Sequence, residues 1–249
     1  MAAAPVLPAS PVPTPNPAAL SQGARIVDTF IAPSKTFADL RRSAQWWLPF
    51  LLMTVIGWGL VYVAEQKIGV QKMVENDLQA QPKREAQYEK LTPEQRQGQI
   101  KATGVIYYIA IPVAPLLIWL IMSGLQLGTL KFVAVADISY GQTLAVLVYA
   151  GLPMAVRSLL AMVSVLAGAS PDGFTLSNPV ATNPGYFMNP ADSPFWHFIA
   201  SQTDIFLLWS LVLTAIGFAV TGKVKMGTAF AIVFAWWAVL TLTFAAILS

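Results

Sequence analysis

Few side chains in this chain could do chemistry, and where they stand matters more than how many there are. It has one histidine, His197, and no cysteine. Thiolate nucleophiles, disulfides, palmitoylation and cysteine metal clusters are therefore absent. His197 lies between Trp196 and Phe198, the setting of a structural histidine at a membrane interface rather than of a general base. Ser170, in Gly168-Ala169-Ser170, has nothing near it in sequence to take its proton. No apolar segment holds a pair of glutamates, and no Gly-rich loop is followed by Lys. This inventory predicts no catalytic residue, no cofactor, no metal site and no enzyme.

Arg157 is the exception. It interrupts an otherwise charge-free stretch, residues 138–168, and burying a guanidinium is expensive enough to demand a partner. Asp204 stands immediately before the next charge-free stretch. If the two stretches run antiparallel, both residues fall toward the same end, and the expectation is a structural ion pair between them. A substrate or lipid-phosphate site at Arg157 is the sharper alternative.

The elements that hold these residues are written in the distribution of charge. Residues 46–64, 102–130, 138–168 (but for Arg157), 205–222 and 226–248 carry no Asp, Glu, Lys or Arg. A bilayer core about 30 Å thick takes roughly 20 apolar residues per helix, and spanning backbone must satisfy its own hydrogen bonds. The prediction is an all-α polytopic membrane protein with five spans, at about 46–64, 102–128, 138–168, 205–222 and 226–248. Composition agrees, with 56% hydrophobic and 11% charged residues and a mean hydropathy of +0.60. A β-barrel would show segments of about ten residues with alternating polarity, and the sequence has none.

Prolines 5, 8, 11, 13, 15 and 17 punctuate an Ala-rich run, so residues 1–22 read as a disordered arm with extended conformers and not as a signal peptide. Residues 23–248 read as the membrane domain. Ile26, Val27, Phe30 and Ile31, then Phe37 and Leu40, have helical spacing around a break at Pro33-Ser34, predicting two short amphipathic helices on the membrane surface. Lys35, Arg41 and Arg42 would face head groups, with Trp46 and Trp47 as anchors.

Residues 65–101 form the one large charged insertion, with seven basic and six acidic residues. Thr92-Pro93-Glu94-Gln95 is a capping-box pattern that would start a helix running into span two. The insertion is either a helical hairpin standing off the membrane to meet a partner or a solvated connector. Residues 169–204 carry no Lys or Arg, and Asn178-Pro179, Asn183-Pro184 and Asn189-Pro190 mark a compact irregular loop. Pro112 and Pro115 should bend span two and Pro153 span three. Gly57, Gly59, Gly124, Gly128 and Gly217 offer small faces for close helix contact.

With the N-terminus cytoplasmic and the C-terminus outside, basic residues divide seven inside and seven outside, and the outer seven all lie in residues 65–101 beside six acids. The net charge of +3 is dispersed, which argues against a nucleic-acid partner.

The start of span four, Asp204-Ile205-Phe206-Leu207-Leu208-Trp209, resembles the Asp-hydrophobic-Phe-x-x-Trp opening of the fourth span in bacterial Yip1-domain proteins. Phe30, Pro33 and Phe37, followed by Trp47 and Pro49, are similar to that family's F-x-x-P-x-x-x-F … W-x-x-P start. The Leu91-Thr92-Pro93-Glu94-Gln95 segment and the Asn183-Pro184-Gly185 turn fit as well, and the resemblance spans about residues 23–248. It implies a five-span helical protein of the bacterial inner membrane with a cytoplasmic N-terminus. Eukaryotic members interact with prenylated Rab-type GTPases, a role that does not carry over intact to a chain that looks bacterial. The expectation that follows is a non-enzymatic membrane scaffold or organiser. It would act through membrane lipids and a membrane-protein partner or a second copy of itself. The rival expectation is a transport component, either an accessory subunit of an export complex or a small channel or carrier using Arg157 and the kinked spans two and three.

Overall fold

The computed structural model describes residues 19–79 and 81–248. Most of the predicted Pro/Ala-rich arm, up to residue 18, lies outside the described residues. Among the described residues the secondary structure is helical, with no strand. Five helical segments are long and apolar enough to cross a membrane.

Two short helices come first, α1 (Gln22–Ile31) and α2 (Pro33–Leu40). Ser21 caps α1 by accepting from the Ala24 amide, and Pro33 opens α2 at a position whose N–H would have no helical partner. Their packing differs from the sequence reading. The polar side of α1 turns inward, burying Arg25, Asp28 and Thr29, while Val27 and Ile31 stay exposed. Phe37 of α2 is fully buried in the main core. Lys35, Arg41 and Arg42 are each committed to a carboxylate, Asp28, Asp137 and Asp39 respectively. Helical spacing showed two-sidedness but not which side would find a polar partner.

Span one is α3 (Trp47–Lys67). Of the charged insertion, α4 (Val70–Gln79) is docked and α5 (Pro82–Tyr88) is more peripheral. Met73, Val74 and Leu78 of α4 are buried, and Met73 joins Leu60, Ala64, Ala161, Val165 and Phe174 in a second small core. Asn76 donates to the carbonyls of Pro171 and Phe174 at 2.8 and 2.9 Å, and Lys72 pairs with Asp172 at 2.7 Å. The insertion is thus neither a free hairpin nor a plain connector, because its first helix, α4, is fastened to residues 169–204.

Span two belongs to α6 (Pro93–Ala134), a 42-residue helix that begins at the Thr92/Gln95 capping box and runs unbroken through Pro112 and Pro115. Pro112 has no N–H for the carbonyl of Tyr108, four residues back. The Trp58 indole of α3 fills that vacancy, donating to the Tyr108 oxygen at 2.9 Å.

Span three is divided into α7 (Tyr140–Ala150) and α8 (Leu152–Leu166) at Gly151 and Pro153. A second capping box, Ser139 with Gln142, starts α7. A Cβ at Gly151 would lie 2.8 Å from the Trp119 ring. After a 3₁₀ turn (Pro184–Phe187) and α9 (Pro194–Ser201), span four is α10 (Ile205–Gly222) and span five α11 (Met226–Leu248).

The main core gathers Phe37, Leu40, Leu130, Val146, Tyr149, Leu213, Phe218 and Val233 from α2, α6, α7, α10 and α11. In α7 and α8 more than half of the most apolar window is buried, whereas in α6 none of it is. The fourth span meets the N-terminal helices closely at Gly217, where a Cβ would fall 2.4 Å from Val146 and 3.1 Å from Phe37. Gly217→Val should therefore cost about 1–3 kcal/mol through overpacking. Gly227→Ala, with nothing within 4 Å of the added carbon, should leave the detergent melting temperature unchanged, and the two melts side by side check this.

Candidate functional site

The end of the molecule that carries α4 and residues 169–204 holds a buried polar knot centred on Asp204. Its side chain is 3% exposed, and that of Arg157 is 13% exposed. Arg157 Nε lies 3.0 Å from Asp204 Oδ2, an ion pair rather than an aligned hydrogen bond. The other end of the guanidinium donates at 3.3 Å to the Ser177 carbonyl and at 3.3 Å to Asn178 Oδ1. Asn183 Nδ2 donates to the same Asn178 oxygen at 2.7 Å, and Asn183 Oδ1 accepts from the Tyr186 amide at 3.0 Å.

Asp204 is the N-cap of α10, accepting through Oδ1 from the amides of Phe206 and Leu207 at 2.9 and 3.3 Å. A carboxylate there also meets the positive end of the helix dipole. Its second oxygen takes the Thr182 hydroxyl. The Ile205 amide donates to the Thr182 carbonyl at 3.1 Å. One carboxylate therefore joins span three, span four and the irregular loop between them. With the Asp204 carboxylate and the Arg157 guanidinium both committed to these partners, the arrangement works as a clasp.

At the opposite end is a second buried ion pair, one that reading the sequence missed. Arg25 Nε donates to Asp39 Oδ2 at 2.8 Å, both side chains are 3% exposed, and Arg25 NH1 reaches the Ser43 carbonyl at 2.9 Å. Arg42 contacts the other carboxylate oxygen at 2.6 Å. The Arg25 carbonyl accepts from the hydroxyls of both Thr29 and Thr36. Burial works to raise the Asp39 carboxyl, but hydrogen bonds and charge from Arg25 and Arg42 outweigh it and hold it below the ordinary range. Around this pair the end is closed by Thr221, which donates to the Phe37 carbonyl at 2.9 Å, and by Asp137, which faces Arg41 and Lys223. Sequence held one clue, a polar stripe of Arg25, Asp28 and Thr29 along one side of a short helix, but nothing to say that Asp39 would supply the counter-ion.

The remaining predicted residues are dispersed. Pro33 opens α2, Phe37 is core, Pro49 is buried in α3, and Trp47 is exposed. Trp209 meets Phe30 edge to face, with centroids 5.5 Å apart, which brings two of the motif's aromatic rings together. Pro112 and Pro115 lie half-buried in α6, and Pro153 is buried at the α7/α8 break. His197 sits on α9, where burial lowers its pKa and keeps it neutral at pH 7. Among the described residues no three His, Cys, Asp or Glu side chains come together in a way that could hold a metal ion.

Five apolar spans, pinned at one end by a clasp and at the other by docked N-terminal helices, define an integral membrane protein of the all-helical polytopic class. Residues 27–247 match the Yip1 domain, and the chain belongs to that family. No curated protein and no solved structure matches it.

Proposed function

We propose that the protein is a non-enzymatic scaffold that organises its membrane through protein and lipid contacts. It would sit in a bacterial inner membrane with its N-terminus cytoplasmic and its C-terminus outside. The observation that carries this reading is the engagement of Arg157. Arg157, the one charged side chain that interrupts the charge-free stretches, is taken up by Asp204, Asn178 and Ser177, so it does not present an open charge to a substrate passing between helices. That weighs against the channel or carrier. Basic residues are equal in number on the two sides, and the orientation rests on the seven of residues 65–101 being interleaved with six acids, while Lys131, Lys223 and Lys225 join the four of the N-terminal segment at the compact end.

On the other side, α4 is fastened down while α5 and the turn after it leave Arg84, Gln87 and Lys90 exposed. This is the surface offered to a membrane-protein partner. The test is native purification in mild detergent with mass spectrometry of what stays bound, beside a variant carrying Arg84→Ser, Gln87→Ser and Lys90→Ser. A near-stoichiometric partner that falls at least tenfold in the variant is expected. Recovery of the wild-type chain alone, or equal capture by both, would overturn the reading.

A further inference from the structure

Between α3 and α6 a groove of about 770 Å³ opens toward the membrane, lined by Trp58, Gly59, Tyr62, Tyr108, Pro112 and Val113. These residues belong to spans one and two, so the recess lies at hydrocarbon depth. One wall is fixed by the bond from the Trp58 indole to the carbonyl that Pro112 leaves unpaired. Near one end, Glu65 accepts from the Tyr108 hydroxyl at 2.7 Å, which holds that carboxylate against α6.

Lys101 precedes Tyr108 by seven residues, two turns along the same face of α6, which places it about 10 Å farther toward the insertion. It is exposed and has no ion pair or hydrogen bond among the described residues. An apolar trough at chain depth with the unpaired ammonium of Lys101 at head-group depth is complementary to one kind of molecule.

We propose that the α3/α6 groove holds an acyl chain of an anionic glycerophospholipid whose phosphate pairs with Lys101. This rests on the scaffold reading and deepens it by naming the lipid class. A transmembrane partner helix is the poorer fit, because close helix contact favours small residues. Here Trp58, Tyr62 and Val113 project instead, at 41%, 58% and 44% exposure.

The test uses the full chain, equilibrated with equal phosphatidylglycerol and phosphatidylethanolamine of matched chains and read by native mass spectrometry. The wild type is expected to retain the anionic lipid preferentially. Lys101→Gln should lower that preference roughly fivefold, one lysine's contribution near an anionic surface, with an unchanged melting temperature. Val113→Trp, which fills the trough, should lose both lipids. If that variant fails to fold, the exposed Lys101→Gln decides alone. Equal retention of the two lipids by the wild type, an unaltered preference in Lys101→Gln, or a second protein chain held in the groove would overturn the proposal. Lost lipid preference with α5-dependent capture intact would sink this inference and leave the scaffold standing; retained preference without capture would do the reverse.

Discussion

Asp39→Ala is expected to destabilise the protein by about 3–5 kcal/mol, because it leaves the Arg25 guanidinium buried without its counter-ion. Arg25 is 2% exposed and would keep the Ser43 carbonyl but no carboxylate. The loss should appear as a lower unfolding midpoint in detergent, and proteolysis should then cut between α1 and α3. Replacing both partners, as Arg25→Met with Asp39→Leu, should recover most of the loss, since an apolar pair carries no desolvation cost. If Asp39→Ala alone unfolds like the wild type, the buried pair is not what holds the N-terminal helices.

The same carboxylate predicts the direction of an acid effect. Its folded pKa is depressed, so the unfolded chain takes the proton first as the pH falls. The stabilisation is fully present above the ordinary aspartate value, about 3.9, and drains away as pH drops through the lower folded value. The wild-type midpoint should fall in that window, and Asp39→Ala should respond less steeply.

Asp204→Asn should be nearly as damaging, again about 3–5 kcal/mol, because Arg157 would lose its only carboxylate while still largely buried. Asparagine is as good an N-cap as aspartate, so this substitution isolates the ion pair from the capping of α10. Asp204→Ala should cost about 1 kcal/mol more, for the bonds to the Phe206 and Leu207 amides. Both variants should open the 169–204 loop to protease near Asn178 and Asn183, whose amides lean on the same knot. An unchanged midpoint and an uncut loop in Asp204→Asn would refute the clasp.

Local signals in the sequence carried far. The Thr92 capping box, the break at Gly151 and Pro153, and Asp204 at the start of span four each depend on residues within a few positions of one another. Contacts between distant segments were not legible in this way. Nothing near Trp58 says that its indole will meet the carbonyl freed by Pro112, 50 residues away from it in Tyr108. Asn76, likewise, gives no sign that it will fasten α4 to Pro171 and Phe174.

By itself the sequence determined that this is a five-span helical membrane protein, because hydrocarbon demands apolar side chains and internally bonded backbone over a length that can be counted. Which side of each helix faces inward was decided only by the tertiary structure. Lipid is as apolar as a protein core, so the pattern of hydrophobic residues does not separate an outer face from an inner one. Span two is as greasy as span four, yet it lies open on the periphery while span four is half buried. Polar groups settle the matter through their partners, as Arg25 does with Asp39 and Arg157 with Asp204, and those pairings exist only once the helices are assembled.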